Sequence, residues 1–206
     1  PEIKVHFSAY LEKLKAAGHT VKLVDFPLLN KMVPTYYILT TAEASSNLGR
    51  YSGLLYGHRA NAGESVDELV SNSRSEGFGR EVKRRILLGS FVLSSGFYDA
   101  YYRKAQQMRR KITDETCKFY EDCDVLLSPV TPSTAFKLGS RQDPVAMYLE
   151  DIFTVHANLT GMPAMAFPAG NHSNSLPFGY QVMSKSMNEA TILDFIRSSK
   201  ELLTSI

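Results

Sequence analysis

The apolar positions of residues 2–17 recur at helical spacing: Val5, Tyr10, Leu11, Leu14 and Ala17 share a face, and Gly18 supplies a stop. Residues 20–26, Thr-Val-Lys-Leu-Val-Asp-Phe, alternate apolar side chains as a strand does, and Pro27 ends the run. Helix, short turn and strand make half of a βαβ unit, so the pattern predicts an α/β fold.

A helix rich in small and apolar residues is expected over 35–49, a loop over 51–64, and a short helical turn over 67–71. Ser73-Arg74-Ser75-Glu76-Gly77-Phe78-Gly79 reads as a structured turn, because two glycines flank one aromatic before the next helix. That helix spans 80–97, with Val82, Ile86, Gly89 and Leu93 on one stripe. Another covers 98–120. The run 124–128 and the segments 165–168 and 178–183 read as strands, 129–145 as loop, and 145–159 as one helix. Asn188 caps a final helix with Ile192, Leu193, Ile196 and Leu203 on its inner face. No repeat or linker divides the chain, which reads as one unit over 1–206.

Composition narrows this only a little. Of the 206 residues, 44% are apolar, and 23 basic against 21 acidic residues leave a formal charge of +2, a balance that does not single out a nucleic-acid binder. Cys117 and Cys123 have no further ligand at zinc-site spacing, so no metal is expected and a reducing compartment is. No apolar run approaches the roughly 20 residues that span a bilayer. The first residue is Pro1 rather than Met, which reads as the edge of a longer product.

Two charges fall where the pattern wants apolar side chains. On helix 80–97 Arg84 points away from the stripe, whereas Arg85 lies at its edge and can either snorkel outward or reach inward. On helix 145–159 Asp151 falls inside the face made by Met147, Tyr148, Ile152 and Val155, while Glu150 points elsewhere. A buried carboxylate costs several kcal/mol without a partner, so Asp151 needs one: a structural cation or a bound ammonium group. An arginine fork for a carboxylate and an aspartate for an ammonium together suit a free amino acid.

Other candidates are weaker. Ser94-Ser95-Gly96 lies in a helical stretch rather than on a nucleophile-bearing turn. The five histidines pair with no acid at a useful spacing. Arg103, Lys104, Arg109, Arg110 and Lys111 read as a solvated helix face, with phosphate contact as the alternative.

Several segments carry a resemblance. They are Tyr36-Tyr37 with Glu43 to Tyr51, Gly53 and Tyr56-Gly57; the Ser73–Gly79 stretch with Glu81 to Ile86; Ser94-Ser95-Gly96 with Tyr98 to Tyr102; Asp124-Val125-Leu126; Thr131 to Phe136; Asp143-Pro144 to Asp151; and Asn158-Leu159 with Gly161 to Ala164. Together they resemble the amidase-signature family and, within it, the glutamine-hydrolysing A subunits of the tRNA-dependent amidotransferases. His156, Thr160 and Tyr180 depart from the family's usual residues.

The resemblance implies the C-terminal part of the amidase-signature fold, a mixed β-sheet flanked by helices. It also implies catalysis by a Lys, a cis-Ser and a nucleophilic Ser, all in the family's N-terminal half. No Gly-Gly-Ser-Ser segment occurs here, so this chain carries no catalytic residue. What carries over is the substrate side: Tyr36, Arg85 and Asp151 match positions that hold the donor glutamine, Arg85 on its carboxylate and Asp151 on its ammonium. The implied function is a fragment of the glutamine-hydrolysing component that supplies ammonia for converting Glu-tRNA(Gln) to Gln-tRNA(Gln). The implied partners are glutamine, the B and C subunits and, through the complex, Glu-tRNA(Gln), with no membrane. No cofactor is expected in this chain, ATP and magnesium being used by the partner subunit, and the expected location is the bacterial cytoplasm or an organelle. The alternatives are a fragment of a general amidase, or a separate non-catalytic module that docks on tRNA or partner proteins.

Overall fold

Strand β3 (Pro177–Ser184) is the centre of the sheet, and its sequence shows why: from Phe178 to Ser184 nearly every side chain is buried. A strand whose two faces are both covered has no solvent side to keep polar. In the computed structural model, which describes residues 2–140 and 143–203, β1 (Val125–Pro129) and β2 (Ala164–Asn171) pair antiparallel to β3 in the order β1-β3-β2. The β2–β3 register shifts between Pro168 and Gly170, where proline cannot donate to the ladder.

The chain divides into two compact units, Pro1–Val33 with Arg109–Ile206 and Pro34–Met108. The first holds the sheet. Helices α1 (Glu2–Ala16) and α8 (Glu189–Ser199) cover one of its faces. Ile3, Tyr10 and Leu14 of α1 and Ile192 of α8 meet Phe167, Phe178, Tyr180 and Val182 in one apolar cluster. Tyr180 is fully buried and stacks on Tyr10 at 5.3 Å and 22° between ring planes. Its hydroxyl lies 2.6 Å from His6 Nδ1. Burial holds the phenol well above its ordinary pKa and His6 below its own, so the two meet as neutral groups.

The strand expected over 20–26 does not form. The segment leaves α1 through Gly18 (φ +95°), yet among the described residues it pairs with no strand. Leu23 is 86% exposed, and Lys22 pairs with Asp122, just before β1, at 3.1 Å. A groove of about 820 Å³, lined by Phe7, Leu11, Val21, Leu23, Leu126 and Phe195, lies beside it. Alternation marks a segment able to pair, but a ladder needs a neighbour's N–H and C=O groups. In place of half a βαβ unit with a mixed sheet, the described residues hold an antiparallel sheet flanked by helices, still an α/β arrangement.

The second unit is helical: α2 (Leu29–Asn47, of which Pro34 onward belongs here), α3 (Val66–Gly77), α4 (Arg80–Leu93), a π-helical turn over Tyr98–Arg103 and the start of α5 (Lys104–Phe119). The helical turn expected at 67–71 extends through Ser73–Gly77, so most of that predicted turn is helix. Ser65 caps it by accepting from Glu68 N. The expected helix 98–120 begins with the π turn.

Candidate functional site

Helices α2 and α4 run side by side in the same direction, in contact turn by turn. Gly89 lies against the Thr41 carbonyl so closely that a Cβ there would fall 1.9 Å from the oxygen, and Ser45 and Ser90 hydroxyls meet at 2.9 Å. One turn earlier on both helices, the Arg85 guanidinium sits 5.5 Å above the centroid of the Tyr37 ring. Glycine at position 89 thus brings the two backbones near enough for that contact.

Arg85 is half-buried, and its Nε donates to Glu81 Oε1 at 3.1 Å, one turn back on α4. Glu81 Oε2 also lies 3.5 Å from Arg84 Nη1. Arg84 is more exposed than Arg85, as the face pattern predicts. The ring under the arginine is that of Tyr37, and Tyr36 meets this ring edge-on, at 5.6 Å and 88°. The pattern of the chain could not separate the adjacent tyrosines. Glu81 was legible as an i,i+4 partner of Arg85.

Asp151 belongs to the other unit. The single helix expected over 145–159 is two, α6 (Pro144–Leu149) and α7 (Thr154–Thr160), and Asp151 lies in the turn between them. Its half-burial therefore arises in a turn and not on an apolar helix face. The Asp151 carbonyl accepts from Val155 N at 3.1 Å and Thr154 Oγ1 at 3.1 Å, which starts α7. Two further bonds pin the turn. Ser133 Oγ donates to Glu150 at 2.8 Å, and buried Gln181 of β3 donates to the Phe153 carbonyl at 3.2 Å. Gly161 (φ +69°) ends α7, its N–H bonded to the Ala157 carbonyl.

Ser94 and Ser95 are not helical: Ser94 ends α4 with its hydroxyl on the Phe91 carbonyl, and Gly96 (φ +86°) turns the chain. Two histidines find acids in space that sequence spacing did not reveal, His58 on Glu76 at 2.7 Å and His172 on Glu2 at 3.3 Å. His156 is half-buried, 2.7 Å from Thr116 Oγ1 and beside the Phe26 ring, and desolvation pushes its pKa down to about 4. On α5, Arg110 pairs with Asp114 at 2.9 Å, and Arg109 Nε donates to the Leu159 carbonyl at 2.8 Å. Arg103 pairs with Asp99 at 3.5 Å. Among the described residues, no group of three His, Cys, Asp or Glu could hold a metal ion, and no helix is long and apolar enough to cross a membrane.

Across both units, residues 1–193 match the model of the Amidase family, and the chain belongs to that family. Within it the chain is similar to the A subunit of glutamyl-tRNA(Gln) amidotransferase from Halothermothrix orenii, 49% identical over 192 residues, covering 93% of this chain and 40% of that protein. It is 50% identical over 194 residues to the corresponding protein of Brevibacillus brevis, covering 94% of this chain and 40% of that protein. The chain thus spans about two-fifths of the length of these relatives. The crystal structure of the Thermotoga maritima protein of the same name superposes with a TM-score of 0.67 at 39% identity, covering 92% of this chain and 36% of that one. An amidase crystal structure at 24% identity shares the fold, with a TM-score of 0.75.

Proposed function

We propose that this chain is the glutamine-binding portion of the A subunit of a tRNA-dependent amidotransferase, with Tyr36, Arg85 and Asp151 holding the donor glutamine. The observation that carries the reading is the state of Arg85. It is a half-buried cation that lies over the Tyr37 ring and whose Nε donates to Glu81. An arginine held in that way presents a fork that suits a carboxylate in bidentate geometry. The sequence similarity to proteins of this name supports the same assignment.

In this reading the amino acid is gripped by its charged end. Arg85 takes the α-carboxylate, Asp151 takes the α-ammonium, and the side-chain amide is left to a nucleophilic serine on the part of the protein that this chain does not span. The ammonia released serves the amidation of Glu-tRNA(Gln). The ATP- and magnesium-dependent activation belongs to the partner subunit, in a cytoplasmic or organellar complex.

The test is Arg85→Ala in the full-length protein. The expected result is a loss in kcat/KM for glutamine of about 10²-fold, the scale of a lost charge-assisted contact. An unchanged kcat/KM would identify a general amidase acting on a different small amide.

A further inference from the structure

We propose that Tyr37 and Glu81 are positioning residues that fix the guanidinium of Arg85 for a carboxylate-bearing substrate, a role that rests on the reading of Arg85 given above. Arginine carries its charge on a long stem, and a fork placed by chance rarely meets a carboxylate with both bonds aligned. Here contacts from two helices bear on it. The Tyr37 ring, 5.5 Å below Cζ, selects the face of the guanidinium plane. The Glu81 carboxylate, 3.1 Å from Nε, sets the rotation within that plane.

The surroundings favour the same geometry. Glu81 sits in the first turn of α4, where the helix dipole favours its negative charge, and Gly79 caps that helix. Arg84 on the other Glu81 oxygen holds the carboxylate along the helix surface. The Gly89–Thr41 contact holds α2 and α4 close together one turn beyond the ring and the guanidinium. The Tyr36 ring braces Tyr37 from the side.

The role is distinguishable from simple support of the fold. A group that acts through Arg85 matters only to substrates that Arg85 touches. Glu81→Gln and Tyr37→Leu would be made in the full-length protein and compared with Arg85→Ala, using glutamine and 4-aminobutanamide, which is glutamine without its α-carboxylate. The expected result is a rise in KM for glutamine of about 5- to 10-fold for each variant, with kcat within about twofold. Turnover of 4-aminobutanamide should stay at the parent level. Adding Glu81→Gln to Arg85→Ala should cause no further loss, because the group it positions is already gone.

An equal loss on both substrates would assign Tyr37 and Glu81 to the fold alone and overturn the proposal. So would glutamine kinetics left at the parent values while Arg85→Ala raises KM, an outcome that leaves the reading of Arg85 standing. If Arg85→Ala itself leaves the glutamine KM unchanged, the reading of the site fails and the positioning role fails with it.

Discussion

Gly89 of α4 rests on the Thr41 carbonyl of α2, at a point where a single added methyl group would lie 1.9 Å from the oxygen. Gly89→Ala therefore forces the helices apart instead of filling space. Overpacking of this kind costs about 1–3 kcal/mol, and here the neighbour is backbone, which cannot rotate away. The expected result is a clear fall in melting temperature. It should be joined by loss of glutamine affinity, because Arg85 and Tyr37 separate with the helices. A variant that melts like the parent would show that α2 and α4 are not in this close contact in solution.

Ser73 ties the 51–64 loop to α3. Its hydroxyl accepts from the Ala60 N–H at 3.0 Å and donates to the Leu69 carbonyl at 2.6 Å, and the side chain is 2% exposed. Ser73→Ala leaves a buried N–H without a partner, a cost of about 1–3 kcal/mol. Limited proteolysis should then cut within 51–64 faster than in the parent, while Ser75→Ala, on the exposed face of the same helix, should not change the rate.

His156 makes stability depend on pH. Its pKa is about 4 in the folded protein and near 6.5 unfolded, because burial disfavours the cation. Between those values the unfolded chain binds a proton that the folded chain refuses. The contribution is therefore fully present above about pH 6.5 and is lost as pH falls toward 4, up to about 3 kcal/mol in all. Urea unfolding at pH 7.5, 6 and 5 should show a steeper decline for the parent than for His156→Leu. Parallel curves would mean that His156 is reached by water when charged.

Asp151→Asn keeps the backbone bonds that begin α7, since the Asp151 carbonyl makes them. The fold should survive and glutamine should bind at least about 10-fold more weakly, as expected when a charged partner is lost. Glutaramate, glutamine without its α-ammonium, should be handled equally by parent and variant. An equal loss on both compounds would remove Asp151 from the ammonium site.

Much of the molecule was legible from local pattern. The first helix, the three strands of the sheet and the start of the last helix followed from apolar periodicity and from Gly18, and the structure has them within a residue or two, apart from the longer β2; the last helix ends at Ser199, short of Leu203. Arg85 stood out because a charge at the edge of an apolar stripe needs a reason, and Glu81 is one helical turn away from it. Local signals failed where the outcome depends on something remote. Residues 20–26 have the alternation of a strand, yet strand formation is decided by a neighbouring backbone that periodicity cannot supply. Asp151 looked like a buried residue on a helix face because a 15-residue apolar pattern hides a break. Bonds from Ser133 and Gln181, distant in sequence, hold the turn at Glu150–Phe153.

The adjacent tyrosines show the same division. Sequence placed an aromatic pair on α2, but only the approach of α4 decides which ring lies under the arginine, and that approach depends on one glycine four residues beyond Arg85. Spacing along a helix fixes which residues share a face. Which of them touches a given side chain on another helix is a matter of how closely the two backbones pack.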